Sequence, residues 1–151
     1  MEKIAVRSNE DIINKYFEAY SKHDINGIKK VMSENVTWFF PGNHPLAGVK
    51  KGVDEVVAFF DKMATIMSKS KPQIEKLIVA SNDKYFIECQ RIKINRDDGI
   101  HIDHHASVLW TFENGKIVEG RHFFADPQAA DNYFIAVSAR EQNAGPIRFS
   151  T

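Results

Sequence analysis

The chain has 151 residues, enough for one domain that buries roughly 70% of its unfolded surface without disulfides. Twenty lysines and arginines balance twenty aspartates and glutamates, so no net field draws it to a nucleic-acid backbone or an anionic membrane, and neither partner is expected. The one cysteine, Cys89, excludes an intrachain disulfide, the first seven residues lack the apolar run of a signal peptide, and no window reads as a membrane span, so a soluble cytoplasmic protein is expected.

Ser8, Asn9, Glu10 and Asp11 open a first helix, the serine accepting hydrogen bonds from exposed amides and the acids suiting the positive end. Ile12, Ile13, Tyr16, Phe17 and Tyr20 recur along it at helical spacing. Asp24 caps a second helix with the apolar face Ile28, Val31 and Met32, which Glu34 and Asn35 break before a β-branched and aromatic strand, Val36 to Phe40. Pro41 and Gly42 end that strand, and Asn43 to Lys51 reads as a loop. Gly52 precedes a third helix carrying Val53, Val56, Val57, Phe60, Met63, Ala64 and Met67, stopped over Lys69 to Pro72.

Four strands follow: Ile74 to Ala80, Tyr85 to Asn95, Ile100 to Phe112, and Lys116 to Phe124. Their connections contain the turn formers Asn82 with Asp83, Asp97 with Asp98 and Gly99, and Asn114 with Gly115, which suit short antiparallel hairpins. Helices first and a strand meander afterwards predict an α+β fold with segregated layers. After Pro127 a short helix is expected over Ala129 to Val137, giving one domain over 1–137 and a loosely packed tail over 138–151.

The order of Tyr16 to Tyr20, His23-Asp24-Ile25-Asn26-Gly27, Val36-Thr37-Trp38, Gly52 with Phe59 and Phe60, and Gly115-Lys116-Ile117 through Phe124 resembles the SnoaL-like branch of the NTF2-like superfamily. That group includes ketosteroid isomerase and limonene epoxide hydrolase, and the resemblance covers residues 9–134. It implies a cone-shaped, curved antiparallel sheet packed against about three N-terminal helices, an apolar pocket for a small molecule, and a homodimer. The scaffold hosts cyclases, isomerases, hydrolases, dehydratases and non-catalytic binders, so the reaction has to be argued from the site.

Alternate strand residues share a face, which groups Gly120, His122 and Phe124, and likewise His104, Ala106, Val108, Trp110 and Phe112. The resemblance assigns both groups to the pocket. It sets Tyr16 where the isomerase polarises a ketone, and His122 where the polyketide cyclases and the epoxide hydrolase carry an acid. An unperturbed imidazole titrates near ~6.5, so His122 reads as a general base and Tyr16 as donor to a developing enolate, against the plain alternative of a wall histidine and a core tyrosine. Phe40 and Val108 stand where the isomerase would have its two acids, and of the hydrolase's arginine and two aspartates only Arg91 survives. Both of those reactions by their usual residues are therefore disfavoured. Arg91 either binds an anionic group of a ligand or pairs with a neighbouring acid such as Glu88 or Asp126.

Trp38, Phe40, Phe60, Trp110 and Phe124 are candidates for an aromatic cavity, and His104 and Val108 for its wall; plain core packing is the alternative for each. His101, Asp103 and His105 share a strand face with metal-ligand chemistry, but by parity that face points away from the pocket, so no metal is expected. His44 is read as a solvated loop histidine and Cys89 as structural. The sequence reading is a small-molecule enzyme doing cofactor-free isomerisation, cyclisation or dehydration of an apolar carbonyl compound. Its alternative is a non-catalytic binding or dimeric assembly protein on the same fold.

Overall fold

Ser8 opens the first helix as its place ahead of two acids predicts: its hydroxyl accepts the Asp11 amide at 3.1 Å, and α1 runs Asn9–Ser21. The computed structural model describes residues 8–143. Asp24 accepts the Gly27 amide at 3.0 Å and starts α2, Ile25–Val31. Then come β1 (Met32–Phe40), β2 (Gly48–Lys51), α3 (Val53–Ser70), β3 (Gln73–Ser81), β4 (Tyr85–Asn95), β5 (His101–Glu113), β6 (Lys116–Phe124) and α4 (Pro127–Asn143). Asn114 and Gly115 both have positive φ, 52° and 75°, which is the two-residue turn that matches strand twist between β5 and β6.

The six strands form one curved, unclosed sheet in the order β2-β1-β6-β5-β4-β3. Neighbours are antiparallel except β1 and β6, which run parallel with Trp38 beside Gly120. The helices cover the concave face: Ile12 and Tyr16 of α1, Val56 and Phe59 of α3, and Phe134 and Val137 of α4 meet Trp38, Phe40, Trp110 and Phe112 in one core. This is the expected α+β cone with its three N-terminal helices. Among the described residues no helix is long and apolar enough to cross a membrane.

Three boundaries differ from the sequence reading. β1 starts at Met32, not Val36, because Met32 pairs with Ile117 of β6; Glu34 and Asn35 lie in an irregular stretch of the strand where the register shifts. Residues 48–51, expected in a loop, form β2 because they pair with Thr37 to Phe40. The last helix does not stop at Val137 but continues to Asn143, so 138–143 are helical and not tail; 144–151 lie outside the described residues. An ion pair between Glu141 and Lys69 of α3, at 3.0 Å, ties down that extra length.

A polar clamp holds α4 to the end of the sheet. The Arg96 guanidinium, whose side chain is only 7% exposed, binds Asp98 at 3.0 Å and donates to Ser70 Oγ at 3.2 Å. Ser70 Oγ in turn donates to the Ile66 carbonyl at 2.8 Å and lies 2.7 Å from the Tyr133 hydroxyl. Hydrogen bonds from Arg96 hold the Asp98 carboxyl below the usual carboxylate range. Every polar group of this buried junction therefore has a partner, unlike those in the cone.

Candidate functional site

Trp38 of β1 lies over the backbone of Gly120 on the adjacent β6, so closely that a β-carbon at position 120 would fall inside the indole's contact shell. The absence of a side chain there lets the ring lie flat against the sheet. Trp110 and Phe60 brace it at 4.9 and 5.1 Å between ring centroids. Tyr16 continues the cluster, 5.4 Å from Phe60 and 6.4 Å from Trp110. On the other side the His122 ring stands 5.9 Å from Trp38 and 4.8 Å from Phe40, and Phe124 links Phe40 at 5.5 Å to His104 at 5.7 Å. The alternation expected along β5 and β6 holds: Trp110 is paired with Gly120, Val108 with His122, and Ala106 with Phe124.

Four buried polar atoms along this aromatic belt have no hydrogen-bond partner: Tyr16 Oη, Trp38 Nε1, His104 Nδ1 and His122 Nε2. Burial raises the Tyr16 phenol far above its ordinary range, so it is a neutral O–H. Burial, with a smaller contribution from the Lys50 ammonium, lowers the His122 imidazole to about 3. His104 is also lowered, chiefly by burial. His122 thus stays uncharged at neutral pH, the state its expected part as a general base requires, but burial leaves it little affinity for a proton. A neutral imidazole has one N–H donor and one acceptor nitrogen to offer a ligand.

Other expected residues sort by strand parity. Trp38, Phe40, Phe60, His104, Val108, Trp110 and Phe124 all face the helix-covered side, and Val108, Phe60 and Phe124 are half-buried there. Arg91 does not: it pairs across the strands with His105 and binds Asp103 through two hydrogen bonds of 2.9 and 2.8 Å on the outer face. Its placement in the pocket is corrected, because Ile92 and not Arg91 has the inward parity in β4. His101, Asp103 and His105 are exposed, and no cluster of potential metal ligands occurs among the described residues. His44 is more than a solvated loop residue: its ring stacks on Phe134 at 4.9 Å, and its Nδ1 accepts the Leu46 amide at 3.2 Å.

Two inward groups escaped the sequence reading. Lys50 is paired with Trp38 and so shares its side of the sheet; Nζ donates to the Leu46 carbonyl at 2.6 Å and lies 5.2 Å over Phe59. It was hidden by the reading of 43–51 as loop. Glu88 is paired with Val108, which is paired with His122, so all three lie on the concave face in one row. Counting by twos from Phe86 along β4 is the signal that finds it. A separate cleft of about 410 Å³ lies between the 45–46 loop, α3 and α4. None of its lining side chains is a partnerless buried polar group, so its chemistry is weaker than that of the cone.

The model of the SnoaL-like domain matches residues 13–120. An uncharacterized protein of Mycobacterium tuberculosis strain H37Rv is 27% identical over 124 residues, spanning 82% of this chain and 94% of that one. Among solved structures, an NTF2-like protein from Burkholderia xenovorans LB400 superposes with a TM-score of 0.66 at 19% identity, covering 83% of this chain and 95% of that one. TerC co-crystallised with polyporic acid superposes at 0.62 with 18% identity, covering 85% and 98%. At these identities the solved structures show a shared fold.

Two outcomes follow from the geometry. Gly120→Ala forces the indole off the sheet and is expected to lower unfolding free energy by about 1–3 kcal/mol in urea titration; an unchanged midpoint contradicts the close approach. An unfolded-chain histidine titrates near ~6.5, whereas native His122 titrates at about 3. Between those values the unfolded state binds a proton that the native state refuses, so stability falls as pH drops from about 6.5 towards 3. His122→Phe should make that fall shallower, and an identical slope in the two proteins contradicts a neutral buried imidazole.

Proposed function

The chain belongs to the SnoaL-like domain family, and from that premise we propose that it is a small-molecule enzyme performing cofactor-free acid/base chemistry on an apolar carbonyl compound held against the concave face. Isomerisation, cyclisation and dehydration are the reactions that fit. The observation that carries the reading is the set of four partnerless polar atoms strung along one aromatic belt. Each unpaired buried group costs about 1–3 kcal/mol, and a ligand oxygen relieves that cost. The TerC complex with polyporic acid, on the same fold, supports a small organic molecule as occupant.

The electrostatics favour a developing oxyanion. Tyr16 O–H and neutral His122 offer hydrogen bonds to an enolate oxygen in apolar surroundings, where fixed donors stabilise a transition state most effectively. Rings of Trp38, Trp110 and Phe60 supply the flat walls, and Val108, half-buried, the floor. No step in this chemistry calls on a cofactor. A second reading, a non-catalytic binder on the same fold, is favoured by one observation: Phe40, in the place of an acid, is packed between Phe59 and Phe134 at 4.9 and 5.1 Å.

The outer face of the sheet supports a homodimer as part of this reading. Ile87, Cys89, Leu109 and Phe39 lie on it half-buried, and Phe123 and Ile78 are 47% and 59% exposed with no helix over them. A solvated antiparallel face ordinarily alternates to polar residues, so a second copy is the occupant we assign. Light scattering should return twice the chain mass; the mass of one chain at all working concentrations contradicts it.

2-Tetralone, a flat aromatic ketone, tests the chemistry. The chain has two tryptophans, Trp38 and Trp110, both in the site, so saturable change in tryptophan fluorescence reports binding there. Exchange of the ketone's α-protons in D₂O should exceed the buffer rate, and Tyr16→Phe should cut the excess about 10²-fold to 10³-fold. Saturable binding with exchange at the buffer rate selects the second reading. Absence of saturable binding contradicts both.

A further inference from the structure

We propose that Glu88 is the group that moves the proton in this site, working across Val108 from His122. The inference rests on the reading of the concave face as a carbonyl-compound site. Three observations carry it. The first is register: Glu88 pairs with Val108 and Val108 with His122, so the three side chains rise from the same face in one cross-strand row. Glu88 and His122 are then about 10 Å apart at Cα, two inter-strand spacings, with a small aliphatic side chain between them. A flat bicyclic ketone laid over Val108 has the carboxylate at one edge and the imidazole at the other.

The second observation is openness. In the next row Phe86, Trp110 and Gly120 are all buried, which closes the floor beneath Trp38. Glu88 and Val108 are half-buried, and His122 is half-buried as a residue although its Nε2 is covered, so the concave face is less closed along this row than along the next. Gln90 Nε2 donates to Glu88 Oε2 at 2.5 Å, and Lys76 Nζ stands 3.8 Å from Oε1. The carboxylate is thereby held on the inward face, with its side chain 23% exposed.

The third is elimination by chemistry. Among the described strand residues whose regular pairing sets them on the concave face, Glu88 is the one carboxylate; the other ionisable groups there are Lys50, Lys76, His104 and His122, and α1 adds Tyr16. A buried phenol and two buried neutral imidazoles donate hydrogen bonds but take protons poorly. In the resulting step the Glu88 carboxylate takes a proton from the carbon beside the carbonyl. The C–H electron pair becomes the enolate C=C bond, and the carbonyl π pair moves to oxygen, which accepts a hydrogen bond from Tyr16 or His122. The carboxyl then returns the proton to the same carbon or a conjugated one, and nothing is oxidised or reduced.

The test is made on the full chain with 2-tetralone, measuring α-proton exchange in D₂O and, separately, fluorescence-detected binding. Glu88→Gln keeps the shape and the partner of Gln90 but cannot take the proton; its exchange should fall at least about 10²-fold while the dissociation constant stays within about threefold. Glu88→Asp, which keeps the charge and withdraws it by one methylene, should lose about tenfold or more in exchange and retain binding. Exchange by either variant at the wild-type rate overturns the assignment and leaves the carbonyl site standing. Wild-type protein that fails to bind 2-tetralone overturns the site and this inference with it.

Discussion

The indole of Trp38 resting on the bare backbone of Gly120 is the contact on which the cone depends. It joins β1 to β6 across the parallel pair, the one place where the sheet departs from antiparallel pairing. The ring covers the floor of the concave face, receives Phe60 from α3 and Trp110 from β5, and stands beside His122. Close-packed interiors transmit small displacements, so the setting of this ring fixes the spacing of the aromatic belt above it. The site's polar atoms are positioned by packing because they have no hydrogen bonds to position them.

That absence separates the two ends of the molecule. At the α4 junction Arg96, Asp98, Ser70 and Tyr133 satisfy one another, and the result is a structural clamp. Along the cone, donors of similar strength are buried without partners, an arrangement that costs stability and is relieved by a ligand. Lys50 adds a positive charge at the rim, which disfavours a second positive charge on His122. The site is therefore a set of neutral donors, with a carboxylate on the opposite side of Val108.

Much of the fold was legible in the sequence because period and turn chemistry agreed. Helix spacing located Tyr16, and the Asn114-Gly115 turn fixed the β5–β6 register that brings Val108 and His122 together. Strand parity alone separated His104 from its neighbours His101, Asp103 and His105. What escaped depended on tertiary pairing. Residues 48–51 are a strand through their partner in β1, and no local propensity marks them. Arg91 was misplaced because the resemblance set the parity of β4, where the observed register turns Arg91 outward and Glu88 inward. The low proton affinity of His122 was not legible because burial is a property of the assembled cone and is not encoded by its sequence neighbours.

The most direct measurement is a crystal structure of the protein soaked with 2-tetralone. The account predicts the bicycle lying over Val108 beside Trp38, its oxygen within about 2.6–3.2 Å of Tyr16 Oη or His122 Nε2. Density for the ketone in the separate cleft beside Leu46, with the concave face closed over Val108 by protein side chains, would contradict it.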